Sequence, residues 1–269
     1  MKKLQQIVTV SLAVVLCLFF VLSILDTAES QKSTDFDQDK ILAHLEKFTE
    51  NGSRSIAHTE ANEAMINYLA ETLEGYGLVN EDTTDKPAYI VHDYVATDAE
   101  DDAAYQNWYL KNVIVHIPAN GSAPTREAIM FMGHTDSVPM GPGASDDGVA
   151  CAVMLEAIRY YMDKIEAGYT FNNDLVFSFV NGEEFNLYGS TALKNEFNGF
   201  NDVVSRVKFV TNLESRGTQG TVIMFETGKN NYNTMQLFSK VNKNIFTCSI
   251  ATLVYDTMPN YTDFTNFKE

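Results

Sequence analysis

The chain has 269 residues, with 19 Lys and Arg against 36 Asp and Glu, a formal net charge of −17. That excess of acid argues against nucleic acid as a partner, which would need a basic face, and 45% hydrophobic with 12% aromatic residues argues against general disorder. Cys17, Cys151 and Cys248 are too few and too scattered for a disulfide scaffold or a thiolate metal site, so any metal must be held by His and carboxylates.

At the N-terminus, Lys2 and Lys3 precede an uncharged, mostly apolar run over residues 4–25. A helix of that length, at about 1.5 Å rise per residue, spans roughly the 30 Å hydrocarbon core of a bilayer. With the positive residues inside, everything after Asp26 is expected outside the cytoplasm, in a secretory or vacuolar lumen or at the cell surface. The reading is a single-pass signal anchor over residues 1–26, with a cleaved signal as its alternative. Residues 27–39 read as a polar tether and residues 40–269 as one domain.

Within that domain, Ile41, Leu42, Leu45 and Phe48 recur at helical spacing, as do Ala64, Met65, Tyr68, Leu69 and Leu73 before Gly75 and Gly77. Residues 89–95, 112–117 and 128–132 read as strands, the first two separated by the acidic insertion 98–102. Residues 147–163 read as a helix, and 175–180 and 207–213 as strands. Strands alternating with helices predict an α/β fold, a three-layer αβα sandwich whose mainly parallel sheet is covered by helices on both faces. Sites in such folds lie beyond the carboxyl ends of the strands.

Three predicted strand ends carry chemistry. After 128–132 comes Gly133-His134-Thr135-Asp136-Ser137, then a Gly- and Pro-rich stretch that leads to Asp146-Asp147-Gly148. After 175–180 comes Asn181-Gly182-Glu183-Glu184, and after 207–213 comes Glu214. So many carboxylates on one rim would repel one another unless a cation sat among them. Each motif alone has a bland reading as a helix cap, a solvated helix start or a structural histidine, and it is their succession that points to metal. His44, His58, His92 and His116 have no acidic partner at ligand spacing and read as structural or surface residues. Cys151 reads as a buried small hydrophobe, and Ser137 and Ser190 as hydrogen-bonding residues.

His134-Thr135-Asp136-Ser137, Pro142 to Gly148, Asn181 to Glu184 and Asn212-Leu213-Glu214, followed by Phe225 to Gly228 and Thr262-Asp263-Phe264, resemble the co-catalytic zinc aminopeptidase family. That family includes glutamate carboxypeptidase and the glutaminyl cyclases, and the likeness is greatest to its membrane-anchored endoplasmic-reticulum and vacuolar-membrane branch. The resemblance implies two zinc ions: His134 and Glu214 on the first, Glu184 on the second, and Asp146 bridging them. It implies that Asp136 orients the His134 ring and that Glu183 is the general base of peptide hydrolysis. Most of the wider family has Asp where Glu214 stands. A cis peptide between Asp146 and Asp147 is also implied, with Gly143 and Gly148 supplying unusual backbone dihedrals.

The resemblance further implies a metal-binding His beyond Thr262-Asp263-Phe264, yet no His follows His134. The second zinc would then have only Asp146 and Glu184, and the expectation is a domain that lacks its C-terminal part and holds the first metal more tightly. The functional expectation is a membrane-anchored, extracytoplasmic metal-dependent exopeptidase, an aminopeptidase acting on peptides. The alternatives are a glutaminyl-cyclase-like aminoacyltransferase and a non-catalytic binding ectodomain of the transferrin-receptor kind. Retention of the His134, Asp146, Glu183, Glu184 and Glu214 set disfavours the last.

Overall fold

The computed structural model describes residues 36–98, 106–215, 223–241, 253, 255, 257, 258 and 261–268. They fall into two compact units, one drawn from Thr34–Ser215 with Tyr261–Lys268, the other from Arg216–Asn260. The predicted anchor over residues 1–26 lies outside the described residues. Among those described, no helix is long and apolar enough to cross a membrane.

The first unit opens with helices α1 (Gln38–Thr49) and α2 (Thr59–Gly75). Helix α1 begins two residues before the predicted domain start. The Asp37 carboxylate accepts the N–H groups of Asp39 and Lys40, closing the first turn as an N-cap. Asp37 N–H in turn donates to Glu156 Oε1 at 2.8 Å, and Phe36 stacks on Tyr160 at 5.3 Å. The end of the predicted tether is therefore packed against the domain.

The strands are β1 (Val79–Asn80), β2 (Ala88–Asp98), β3 (Gln106–Ile117), β4 (Ala128–His134), β5 (Asp174–Val180) and β6 (Val207–Asn212). Helix α3 (Val149–Glu166) joins β4 to β5, and α4 (Tyr188–Asn195) lies between β5 and β6. The sheet order is β1-β2-β3-β5-β4-β6. Strand β3 runs antiparallel to both neighbours, and the other five run one way. The expectation of a mainly parallel sheet holds apart from β3. That strand is the return arm of a long hairpin, paired from Ala88↔His116 to Asp98↔Gln106. The strand begins at Gln106 rather than at 112, because Trp108 and Leu110 pack with Tyr94, Ala96 and Ile56.

Alternation along the strands builds two cores. Val113, Val115 and Ile117 of β3 and Leu175, Phe177 and Phe179 of β5 face α1, α2 and α3 through Phe48, Leu69, Leu73, Leu155 and Ile158. Ile114, Met130, Met132 and Val176 face the other way, onto Leu193, Phe197, Phe200 and Val203. Strand β5 is buried along its whole length, as a central strand covered on both faces must be. Each such large apolar side chain, fully buried, contributes about 1.5–3 kcal/mol.

In the second unit, α5 (Tyr232–Val241) is helical, and the Phe225 and Tyr255 rings pack at 5.0 Å.

Candidate metal centre

Strands β5, β4 and β6 are parallel neighbours, with His134 opposite Val180 and Met132 opposite Asn212. Their carboxyl ends therefore lie side by side, and the chain leaves them through His134, Asn181-Gly182-Glu183-Glu184 and Glu214. Atoms of His134, Asp146 and Glu214 all lie within 4.8 Å of one another. His134 Nε2 is 3.1 Å from Asp146 Oδ1, 3.9 Å from Glu214 Oε1 and 4.0 Å from Glu183 Oε2. Glu184 is not part of that three-residue group, but its Oε1 is buried with no hydrogen-bond partner.

The other ring nitrogen, His134 Nδ1, faces Asp136, 3.4 Å from its Oδ1 and 3.2 Å from its main-chain oxygen. The fully buried Asp136 carboxylate also accepts the N–H of Glu183 at 3.0 Å and of Glu184 at 3.2 Å. One carboxylate thus orients the ring and holds the acidic turn of the neighbouring strand. Cys151 is buried and donates from Sγ to His134 O at 3.1 Å, a supporting contact rather than a nucleophile's, and burial pushes its thiol far up.

Asp146 and Asp147 are joined by a cis peptide, as the resemblance implies. Neither has helical dihedrals, so the regular helix starts at Val149 rather than at 147. Asp147 is buried and accepts the His134 N–H at 3.2 Å. Gly143 has φ +62°, in the left-handed region that suits glycine. Gly148 is required for a different reason than expected: its φ is an ordinary −56°, but a Cβ there would lie 2.8 Å from Gly143 O.

The electrostatics are those of crowded, buried acids. Burial, with Asp263, Glu214 and Asp136 adding to it, pushes Glu183 up to about 9. Burial and then Asp146 push Glu184 up to about 7. Burial also pushes Asp147 well up, and the buried Asp263 to about 7. Burial opposes charge on His134, but Asp136, Asp146 and Glu214 outweigh it and raise its pKa well above the usual value. A dication among these groups would favour every carboxylate's ionised form. Glu214 Oε2 and Glu184 Oε1 are buried oxygens with no hydrogen-bond partner, which cation ligation would satisfy. The donor set of imidazole and carboxylates suits zinc.

The remaining histidines lie away from this cluster. His44 is held between the Tyr68 and Tyr76 hydroxyls at 2.8 and 2.9 Å. His58 is the N-cap residue of α2, and His92 packs against Tyr94 and Phe197. His116 does have an acidic partner, Asp174 Oδ2 at 3.1 Å, brought to it by pairing of β3 with β5 rather than by sequence spacing. Ser137 and Ser190 are hydrogen-bonded as expected, Ser137 Oγ accepting from Arg54 N and Ser190 Oγ donating to Leu187 O.

Sequence reasoning missed the buried polar frame beneath the acids. Asn181 and Asn62 exchange amide hydrogen bonds at 2.8 and 2.9 Å, Asn62 donates to Arg54 O, and Asn112 accepts from Asn181 N. The position of Asn181 in the Asn-Gly-Glu-Glu motif was its one signal; Arg54 and Asn62 had none.

Residues 112–269 match the sequence model of a family described as peptidase family M28. Endoplasmic reticulum metallopeptidase 1 of Mus musculus is 27% identical over 239 residues, which is 87% of this chain and 26% of that protein. A vacuolar membrane protease of Meyerozyma guilliermondii is 30% identical over 203 residues, 71% of this chain and 19% of that protein. The chain therefore spans about a quarter or less of these relatives. Two solved structures share the fold. LapA aminopeptidase of Legionella pneumophila has a TM-score of 0.60 at 20% identity, covering 87% of this chain and 58% of that one. Porphyromonas gingivalis glutaminyl cyclase has a TM-score of 0.61 at 15% identity, covering 87% and 79%.

Proposed function

Because the chain belongs to peptidase family M28, we propose that it is a zinc-dependent exopeptidase of the aminopeptidase kind. The observation that carries this reading is the cluster of His134, Asp146 and Glu214 atoms within 4.8 Å, with Glu183 Oε2 4.0 Å from the same imidazole. His134, Asp146 and Glu214 would hold one zinc, and Asp146 with Glu184 a second. When bound, such ions lower the pKa of water and polarise the peptide carbonyl.

The chain's own residues then divide the remaining work. Glu183 takes the proton of the attacking water as oxygen bonds to the carbonyl carbon, and returns it to the amine nitrogen as the C–N bond breaks. Asp136 fixes the position of Glu183 through its main-chain N–H and fixes the ring of His134 through Nδ1.

The charge distribution favours a substrate with a free amino terminus. Among the described residues, the strongest charges acting on Glu183 are His134, Asp263, Glu214 and Asp136, with no Lys or Arg among them. A terminal carboxylate would need a cation there. Among the described residues, the buried guanidinium nearby, that of Arg54, is occupied by main-chain carbonyls. An ammonium group suits an acidic site.

Residues 1–26 would anchor the chain with its catalytic part outside the cytoplasm. This is supported by the charge pattern of that segment and by relatives named for the endoplasmic reticulum and vacuolar membrane. The reading is tested with aminoacyl-p-nitroanilides and their N-acetylated forms on the full chain with added zinc. Release of nitroaniline from the free-amine compounds only is expected. Cleavage of peptides solely from the carboxyl end, or cyclisation of N-terminal Gln without hydrolysis, would overturn it.

A further inference from the structure

His134 and Asp146 are separated in sequence by a stretch rich in Gly and Pro, residues 135–145, with no regular structure before Ala144. Its internal ties among the described bonds are short-range, Gly141 N–H to Val138 O at 3.3 Å and Ser137 Oγ to Gly141 O at 2.9 Å and to Val138 O at 3.4 Å. A segment this long and this loosely self-bonded would wander by more than metal ligation tolerates. Its ends are partly held from outside, Thr135 N–H donating to Val180 O at 2.7 Å and Asp147 accepting the His134 N–H at 3.2 Å, and what remains is to tie Thr135 to the residues that precede Asp146.

Arg54 meets that need. Its side chain is 1% exposed. Nε donates to Thr135 O at 2.8 Å, one residue past His134, and one terminal nitrogen donates to Gly143 O at 3.0 Å, three residues before Asp146. The other terminal nitrogen donates to Pro142 O and, at 3.4 Å, to Phe48 O of α1. The Arg54 main-chain N–H donates to Ser137 Oγ at 2.9 Å. A single planar group therefore ties both ends of the stretch to each other and to the helical layer.

No carboxylate is hydrogen-bonded to this guanidinium in the described structure, although Asp136, Asp146 and Asp147 act on it electrostatically. Burying a cation against carbonyls alone is unfavourable compared with an apolar side chain of similar volume. Packing therefore gives no reason for Arg at this position, whereas a rigid fork of donors spanning several carbonyls does. The Arg54 carbonyl continues the frame, accepting from Asn62, which pairs with Asn181 two residues before Glu183.

We infer that Arg54 is a positioning residue that sets the separation of His134 and Asp146 and thereby the affinity of the metal centre. The inference rests on the metal reading above.

The test is zinc affinity of the full chain, measured by competition with a chromophoric chelator, alongside thermal unfolding of the zinc-free protein. Arg54→Lys keeps the charge but replaces the fork by one nitrogen. Leu73→Ala, in the apolar core of α2, serves as a control for lost stability. The expected result is zinc affinity about ten-fold or more weaker in R54K, with L73A destabilised but binding zinc as the wild type does. Equal affinity in R54K and wild type, or equal loss in R54K and L73A at the same loss of stability, would overturn the inference. If R54K does not fold, Arg54→Gln, which keeps a planar donor but not the fork, is read instead: weaker zinc binding supports the inference and unchanged binding overturns it. A wild-type chain that takes up no zinc overturns the metal reading itself, whereas binding that is indifferent to these variants overturns only the role of Arg54.

Discussion

The carboxylate of Asp136 accepts the main-chain N–H of Glu183 at 3.0 Å while facing His134 Nδ1 at 3.4 Å. The proposed base and the proposed ligand, carried by neighbouring strands β5 and β4, thus share one buried anchor. Asp136→Asn keeps the shape but loses the charge and one acceptor. Zinc affinity is expected to fall about 10–100-fold, as for other groups that orient a metal-bound imidazole. Unchanged affinity by chelator competition would remove Asp136 from that role.

Glu183→Gln separates base from ligand. Turnover of an aminoacyl-nitroanilide is expected to fall about 10²–10⁴-fold, with zinc content per chain unchanged by elemental analysis. Loss of zinc together with activity would make Glu183 a ligand and reverse its assignment with Glu184.

The zinc-free protein should lose stability as the pH rises from 7 to 8.5. Glu183 is raised by burial from 4.5 to about 9, and His134 is raised well above 6.5. Each binds its proton more tightly in the folded state, so the stability it contributes is full below the unfolded pKa and is lost as pH climbs toward the folded one. The window starts at 7 because His44 and His92, lowered by burial, act in the opposite direction below about 6.5. Urea midpoints should fall across the window without zinc and change little at saturating zinc. A midpoint that rises would contradict the charge distribution described for the site.

Phe177→Ala should destabilise the fold by about 3–5 kcal/mol. Phe177 is 1% exposed on the central strand, with Phe131 stacked on it at 5.2 Å and Tyr161 at 6.3 Å. Urea denaturation measures the loss, and a change under 1 kcal/mol would mean that this layer is not packed as described.

The site's outline was legible in the sequence because the sheet does the assembling. Acidic and imidazole residues placed just after apolar runs end up together when those runs become parallel neighbours, as β5, β4 and β6 do. The direction of β3 was not legible, since a strand's apolar pattern is the same read either way and only the hairpin closure fixes it. Gly148 was singled out, but for dihedral freedom instead of the close approach of Gly143 O. Arg54 and Asn62 escaped notice because a buried polar residue that serves main-chain carbonyls leaves no periodicity and no spacing. Asp263 lay in a quoted motif, yet its place as a buried acid that raises the pKa of Glu183 depends on the fold returning the chain to this unit.

The central claim, that His134 and Glu214 at two neighbouring strand ends hold a metal together with Asp146, is tested most directly by anomalous diffraction at the zinc edge from crystals grown with one equivalent of zinc. The account predicts the strongest peak within bonding distance of His134 Nε2, Asp146 and Glu214. A strongest peak on other residues, or none at saturating zinc, would contradict it.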